Sequence, residues 1–239
     1  MNNSLQIARI LGIPIKIHIS FLLVLPFFAW IFAIQQEPFG FAGIESTILK
    51  YSLSLLTAIL LFASVLIHEL AHSYFSLRYG GSISEITLYL IGGVSSMKEE
   101  LHEPSKEAKM AFVGPLSSII IGIVLLAFTS LFNPAASFSD GVGLFLMIFI
   151  LGYINIILGL FNLIPAFPMD GGRILRAFLA QRMDFVEATQ KAATIGKIFA
   201  FLMGLAGLFM SFWLILIAFF IYMGASGEEQ QVKNRYRRF

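Results

Sequence analysis

The sequence predicts an all-α membrane protein of about six transmembrane helices, accompanied by a small membrane-associated β-sheet or re-entrant β segment. Three observations predict it. Hydrophobic residues make up 58% of the 239 and charged residues only 13%, whereas a soluble domain is nearer half apolar and a quarter charged. Long apolar stretches recur between short polar turns, so several helices must share one bilayer. Two segments, 5–18 and 80–97, depart from this pattern, being rich in β-branched residues and punctuated by glycine. The formal net charge of +2, with no basic stripe interleaved with aromatics, argues against a nucleic-acid partner. Cysteine is absent, which excludes disulfides and thiolate metal sites.

Taken in order, the chain reads as one polytopic domain over 1–239. Residues 1–19 form a hairpin around Gly12 and Pro14, with Arg9, Lys16 and His18 near the membrane surface. They lack a basic region followed by an apolar core and a cleavage site, so a cleaved signal peptide is not expected. The first span, 20–34, exits through Gln35, Gln36, Glu37 and Pro38, and the second covers 51–77. Segment 80–97 is too short and too broken by glycine pairs for a spanning helix. A re-entrant hairpin or loop fits, since irregular backbone at membrane depth must be buried in protein or line a wet cavity. A polar linker (98–109) leads to the third span, 110–132, and Asn133 to Asp140 form the next turn. The fourth span, 141–168, must unwind at Pro165 and Pro168. Residues 174–191 read as an amphipathic surface helix. The apolar stretch after them divides into two short spans, 192–208 and 210–224, turning near Gly207–Ser211, before a basic tail, 225–239.

Lysine and arginine set the orientation. With six spans and both termini cytoplasmic, Lys50 alone of the sixteen basic residues lies outside. The protein is then a multi-pass cell-membrane protein in which His68–His72 and Asp170 both fall on the cytoplasmic side.

The polar groups inside the spans carry the chemistry. His68-Glu69-Leu70-Ala71-His72 fits the pattern HExxH within the second span. Residues four apart share a helical face, so two imidazoles can hold one zinc ion with Glu69 beside them as general base. Ionisable groups at membrane depth are costly and point to function. A catalytic zinc takes three protein ligands. The chain has three aspartates, Asp140 on the outer side, Asp184 in the surface helix, and Asp170 at the broken end of a span. Asp170 is therefore the candidate third ligand; the alternative is a helix N-cap at Gly171. His102 and Glu103, in the charged linker, are competing ligands.

HELAH on the second span, IGGVSSM, GPLSS (114–118) and NLIPAFPMDGGR (162–173) together resemble the site-2 protease family of intramembrane zinc metalloproteases. The resemblance covers essentially all of the chain except its tail. It implies His68, His72 and Asp170 as ligands of one Zn2+ per chain and Glu69 as catalytic base. It implies a second catalytic role for Asn162, whose amide would hydrogen-bond the substrate carbonyl or the developing oxyanion; the other reading of Asn162 is a helix–helix hydrogen bond. Gly92, Gly93, Gly171 and Gly172 read as sites of close backbone approach, and the GPLSS serines as small-residue packing. The implied partners are the lipid bilayer and a transmembrane substrate helix, bound in extended form at a strand edge in 82–90 or 5–18. Two rival functions are a cation transporter using buried His and Asp groups, and a catalytically silent zinc-binding membrane adaptor. The chain shows no second HELAH-like half, as an internally repeated transporter would, and it retains Glu69.

Overall fold

The structure, a computed structural model, describes residues 4–89, 92–99, 103–130 and 142–236. The turn expected at Asn133–Asp140, His102 and residues 237–239 of the tail lie outside them. Residues 1–100 with 116–159 make up one unit, and residues 101–115 with 160–239 a second.

The first unit opens with the expected hairpin. β1 (Ser4–Ile10) and β2 (Ile13–His18) pair antiparallel, from Ser4 opposite His18 to Ile10 opposite Ile13. Leu11 and Gly12 between them have φ of 54° and 78°, the two positive values of a hairpin turn whose twist matches its strands. Helix α1 (Phe21–Ile34) has 14 residues, a length of about 21 Å against about 30 Å of hydrocarbon. The polar run from Gln35 to Pro38 cuts it short. Helix α2 (Thr47–Arg78) has 32 residues and begins where the Ser46 hydroxyl accepts the Leu49 N–H, as an N-cap serine does.

Segment 80–97 is more regular than expected. β3 (Ser82–Tyr89) and β4 (Gly92–Glu99) form a second hairpin that joins the first, giving one sheet in the order β1-β2-β3-β4. β2 and β3 run parallel, Ile15 opposite Ile86 and Ile17 opposite Leu88. A parallel pair requires a long crossover, which α1 and α2 supply. β3 is therefore interior, and the sheet edges are β1 and β4. Ile13, Ile15 and Ile86 form a buried cluster packed against Leu66 and Leu70 of α2, so the sheet rests on the helical turn that carries HELAH.

Helix α3 (Pro104–Thr129) starts ahead of the expected Met110. Pro104 suits the first helical position, and Glu107 in the first turn complements the helix dipole. Helix α4 (Val142–Asn162) stops short of Pro165 and Pro168. A Cβ on Gly122 of α3 would lie 2.5 Å from Ile156 Cγ1 and 2.7 Å from the Gly152 carbonyl oxygen of α4, so small residues let these two backbones approach.

The second unit holds α5 (Asp170–Leu179), α6 (Phe185–Met210) and α7 (Phe212–Tyr236). The surface helix expected over 174–191 is corrected: it breaks between α5 and α6, and its Arg176 is buried, at 4% exposure. The short spans 192–208 and 210–224 are parts of longer helices, and the tail from Ala225 to Tyr236 continues α7. Ser211 separates them, as expected. Among the described residues, α2, α3, α4, α6 and α7 are long and apolar enough to cross a membrane, and α1 is a shorter apolar helix. The predicted class therefore holds. Small residues on α6 and α7 seat the loop 163–169: Phe167 packs among Ala192, Ala193 and Ala225, and Ala166 clusters with Ala200 and Ile221.

Candidate metal centre

The regular α-helix of α2 puts His68 and His72 on one face, one turn apart, at 4% and 5% exposure. Their Nε2 atoms face each other at 3.1 Å and the ring centroids are 4.8 Å apart. Two nitrogens at about 2.05 Å from a tetrahedral zinc would be about 3.3 Å apart, so the pair is spaced as two ligands of one ion are. The outer nitrogen of His68 is also engaged: its Nδ1 lies 2.9 Å from the Ser118 hydroxyl of α3, which is fully buried. With Nδ1–H donating to Ser118, the Nε2 lone pair faces inward, which is the tautomer a metal requires. Ser118 belongs to the GPLSS stretch, where the sequence suggested only small-residue packing.

Glu69 follows His68 on the next face and is half-buried. The β3–β4 hairpin lies over it: a Cβ on Gly93 would fall 2.6 Å from Glu69 Cγ and 3.4 Å from Cδ. The glycine is what lets β4 and the Glu69 side chain occupy adjoining space.

Asp170 is the first residue of α5, with Met169 in the N-cap position. The N-cap reading of Asp170 is thereby corrected; its carboxylate lies in the first turn, where the helix dipole favours negative charge, at 9% exposure. The two glycines after it have a steric reason. A Cβ on Gly171 would fall 2.2 Å from the Ile164 carbonyl oxygen and 2.4 Å from that of Leu163, and one on Gly172 2.6 Å from the Phe167 nitrogen. The first turn of α5 lies directly on the loop 163–169, and a side chain at either position would part them.

Asn162 ends α4 and is half-buried. About two turns back, Asn155 is fully buried, donating to the Leu151 carbonyl at 2.8 Å. Glu103 is exposed and bonded within its own turn to Lys106 and Ser105, which hold its carboxyl below the usual range. Asp184 takes the N-cap position of α6; Asp140, like His102, lies outside the described residues.

The family model of peptidase family M50 matches residues 56–145 and 130–205, a stretch that includes both HELAH and the DGG turn. The chain belongs to peptidase family M50. It is 40% identical to a zinc metalloprotease of Methanocaldococcus jannaschii, over 98% of this chain and 62% of that protein. It is 33% identical to Rip3 of Mycobacterium tuberculosis, over 98% of this chain and 61% of that protein. The chain thus spans about three-fifths of the length of these curated relatives. Its fold matches the solved site-2 protease of Methanocaldococcus jannaschii with a TM-score of 0.64 and 38% identity, covering 95% of both chains. The resemblance to the site-2 protease family is borne out, and this M50 member is a multi-pass membrane protein.

Proposed function

We propose that this chain is an intramembrane zinc metalloprotease that hydrolyses a peptide bond in or near the transmembrane segment of a membrane-protein substrate. In this reading one zinc ion per chain is held by His68, His72 and Asp170. The supporting observation is that the Nε2 atoms of the buried His68 and His72 lie 3.1 Å apart on one helical face, spaced as two ligands of one zinc are, while Asp170 is the buried carboxylate of the first turn of α5. The Methanocaldococcus jannaschii relative is a zinc metalloprotease, and two imidazoles and a carboxylate are a donor set that zinc takes in catalytic sites.

Held by these three residues, a zinc ion would supply Lewis acidity to the site, making water there more acidic and a carbonyl more electrophilic. Glu69 takes a proton from the attacking water and returns it to the leaving amine. Asn162 donates a hydrogen bond to the carbonyl oxygen as negative charge develops there. Ser118 keeps His68 in the tautomer that faces inward. The peptide bonds of a membrane helix are hydrogen-bonded and shielded, so the substrate is cleaved in extended form, adding as a strand to an open sheet edge. β3 is covered on both sides, which leaves β1 and β4; β4 is favoured because its Gly93 adjoins Glu69. The lysine and arginine distribution supports an orientation with both termini and the site on the cytoplasmic side.

Zinc content and cleavage of a transmembrane substrate, measured on the wild type and on Glu69→Gln, test this reading. Glu69→Gln retains zinc and loses cleavage, and a chelator abolishes wild-type cleavage until zinc is restored. Cleavage by Glu69→Gln at the wild-type rate would remove Glu69 as the base. A zinc-free, inactive wild type that conducts cations would favour a transporter.

A further inference from the structure

One buried charged cluster takes no part in this chemistry. The Arg176 and Glu107 side chains are each 5% exposed, and that of Glu228 is 25% exposed. Arg176 donates to a Glu107 oxygen from Nε at 2.9 Å and again from Nη2, and to Glu228 from Nη1 at 2.7 Å. Its guanidinium carbon lies 5.3 Å from the centre of the Phe167 ring and 4.7 Å from that of Phe185, both within cation–π range. Burial draws its pKa down, and the two carboxylates outweigh that effect, so it stays above its ordinary value and charged.

Stability alone is a poor account of such a cluster, because a buried ion network is often no better than well-packed apolar residues of the same volume. Its membership is more informative. Glu107 belongs to the first turn of α3, Glu228 to α7, Phe185 to the start of α6, and Phe167 to the loop 163–169. Arg176 thus joins four separate segments to α5. Arg176 and its contact Phe167 bracket Asp170 along the chain: Phe167 lies three residues before it and Arg176 six residues after. The planar fork of an arginine fixes direction as well as charge, which a lysine does not.

We infer that Arg176 is a positioning residue for Asp170: the guanidinium clamped by Glu107, Glu228, Phe167 and Phe185 locks the loop-to-α5 joint that presents the Asp170 carboxylate. The inference rests on the reading of Asp170 as a zinc ligand. Groups that orient a metal ligand typically change metal affinity by about 10–100-fold when altered.

The test uses the full chain purified in lipid nanodiscs, with zinc affinity from competition against a chromophoric chelator and thermal unfolding of the zinc-free protein. Arg176→Lys, which keeps the charge and loses the fork, weakens zinc about tenfold with little change in the apo melting temperature. Asp170→Asn also weakens zinc, and Arg176→Lys has no further effect in that background, since coupled residues are non-additive. If Arg176→Lys does not fold, Phe167→Leu, which removes one ring and leaves both ion pairs, carries the same cycle with an effect of about threefold. Wild-type zinc affinity in the Arg176 or Phe167 variant, beside a weakened Asp170→Asn, overturns the positioning role and leaves the ligand reading intact. Additive effects in the double variant overturn it as well. Wild-type zinc affinity in Asp170→Asn overturns the ligand reading, and the positioning role with it.

Discussion

The two parts of the candidate metal centre reach their places by different physics. His68 and His72 ride on an uninterrupted helix, and their common face is a property of any α-helix with residues four apart. Asp170 stands where helical structure is interrupted, after the seven residues 163–169, and its direction depends on how that loop seats on the small residues of α6 and α7. The histidine pair is thus secured locally and tolerates backbone change in its own turn. The aspartate depends on contacts made outside its own helix, with the loop 163–169 and what that loop packs on, and a single methyl group in the wrong place should displace it.

Four substitutions break or sharpen this contrast. The largest effect is expected for Gly171→Ala, whose Cβ would stand 2.2 Å from the Ile164 carbonyl oxygen. Unfolding experiments should show a loss of at least about 3 kcal/mol, and zinc titration a fall of about 100-fold. An Ala variant with wild-type affinity would mean that the loop and α5 are not mutually fixed. Ser118→Ala comes next, because it removes the partner of His68 Nδ1. Its zinc affinity should drop about tenfold, read by the same chelator competition, and Ser118→Thr, which keeps the hydroxyl, should recover part of it. Ala71→Gly, inside HELAH, tests the local half. Helix propensity predicts about 1 kcal/mol of lost stability with zinc affinity changed by less than about twofold. A loss comparable to that of Gly171→Ala would erase the distinction between the two parts. The smallest effect belongs to Ser73→Ala. Its buried hydroxyl has no hydrogen-bond partner among the described residues, so removing it should be neutral or stabilise by up to about 1 kcal/mol, with melting temperature as the readout.

What could be read in the chain follows the same division. The first hairpin was legible because Gly12 and alternating isoleucines are local signals, and the helical spans because their hydropathy is continuous. HELAH needed nothing beyond helical periodicity. The parallel pairing of β2 with β3 was not legible, since Ile15 and Ile86 are joined by α1 and α2 and no local pattern announces their register. Arg176 was misplaced on a surface helix for a similar reason. Charges at 173, 176, 182 and 187 suggest a solvated face, whereas Glu107 and Glu228, which neutralise Arg176, lie 69 and 52 residues away. Ser118 looked like packing because a serine among small residues carries no sign of the imidazole it will meet.

The sequence by itself determined the solvent, the histidine pair and the residue types at the helical break, because hydropathy and periodicity act over a few residues. Only the tertiary structure decided that Ser118 orients His68, that β4 passes over Glu69, that Asp170 begins α5 behind Met169, and that Arg176 is buried. Each of these depends on a contact between segments far apart in the chain, where close packing and the pairing of buried polar groups select one arrangement among many that local preference allows.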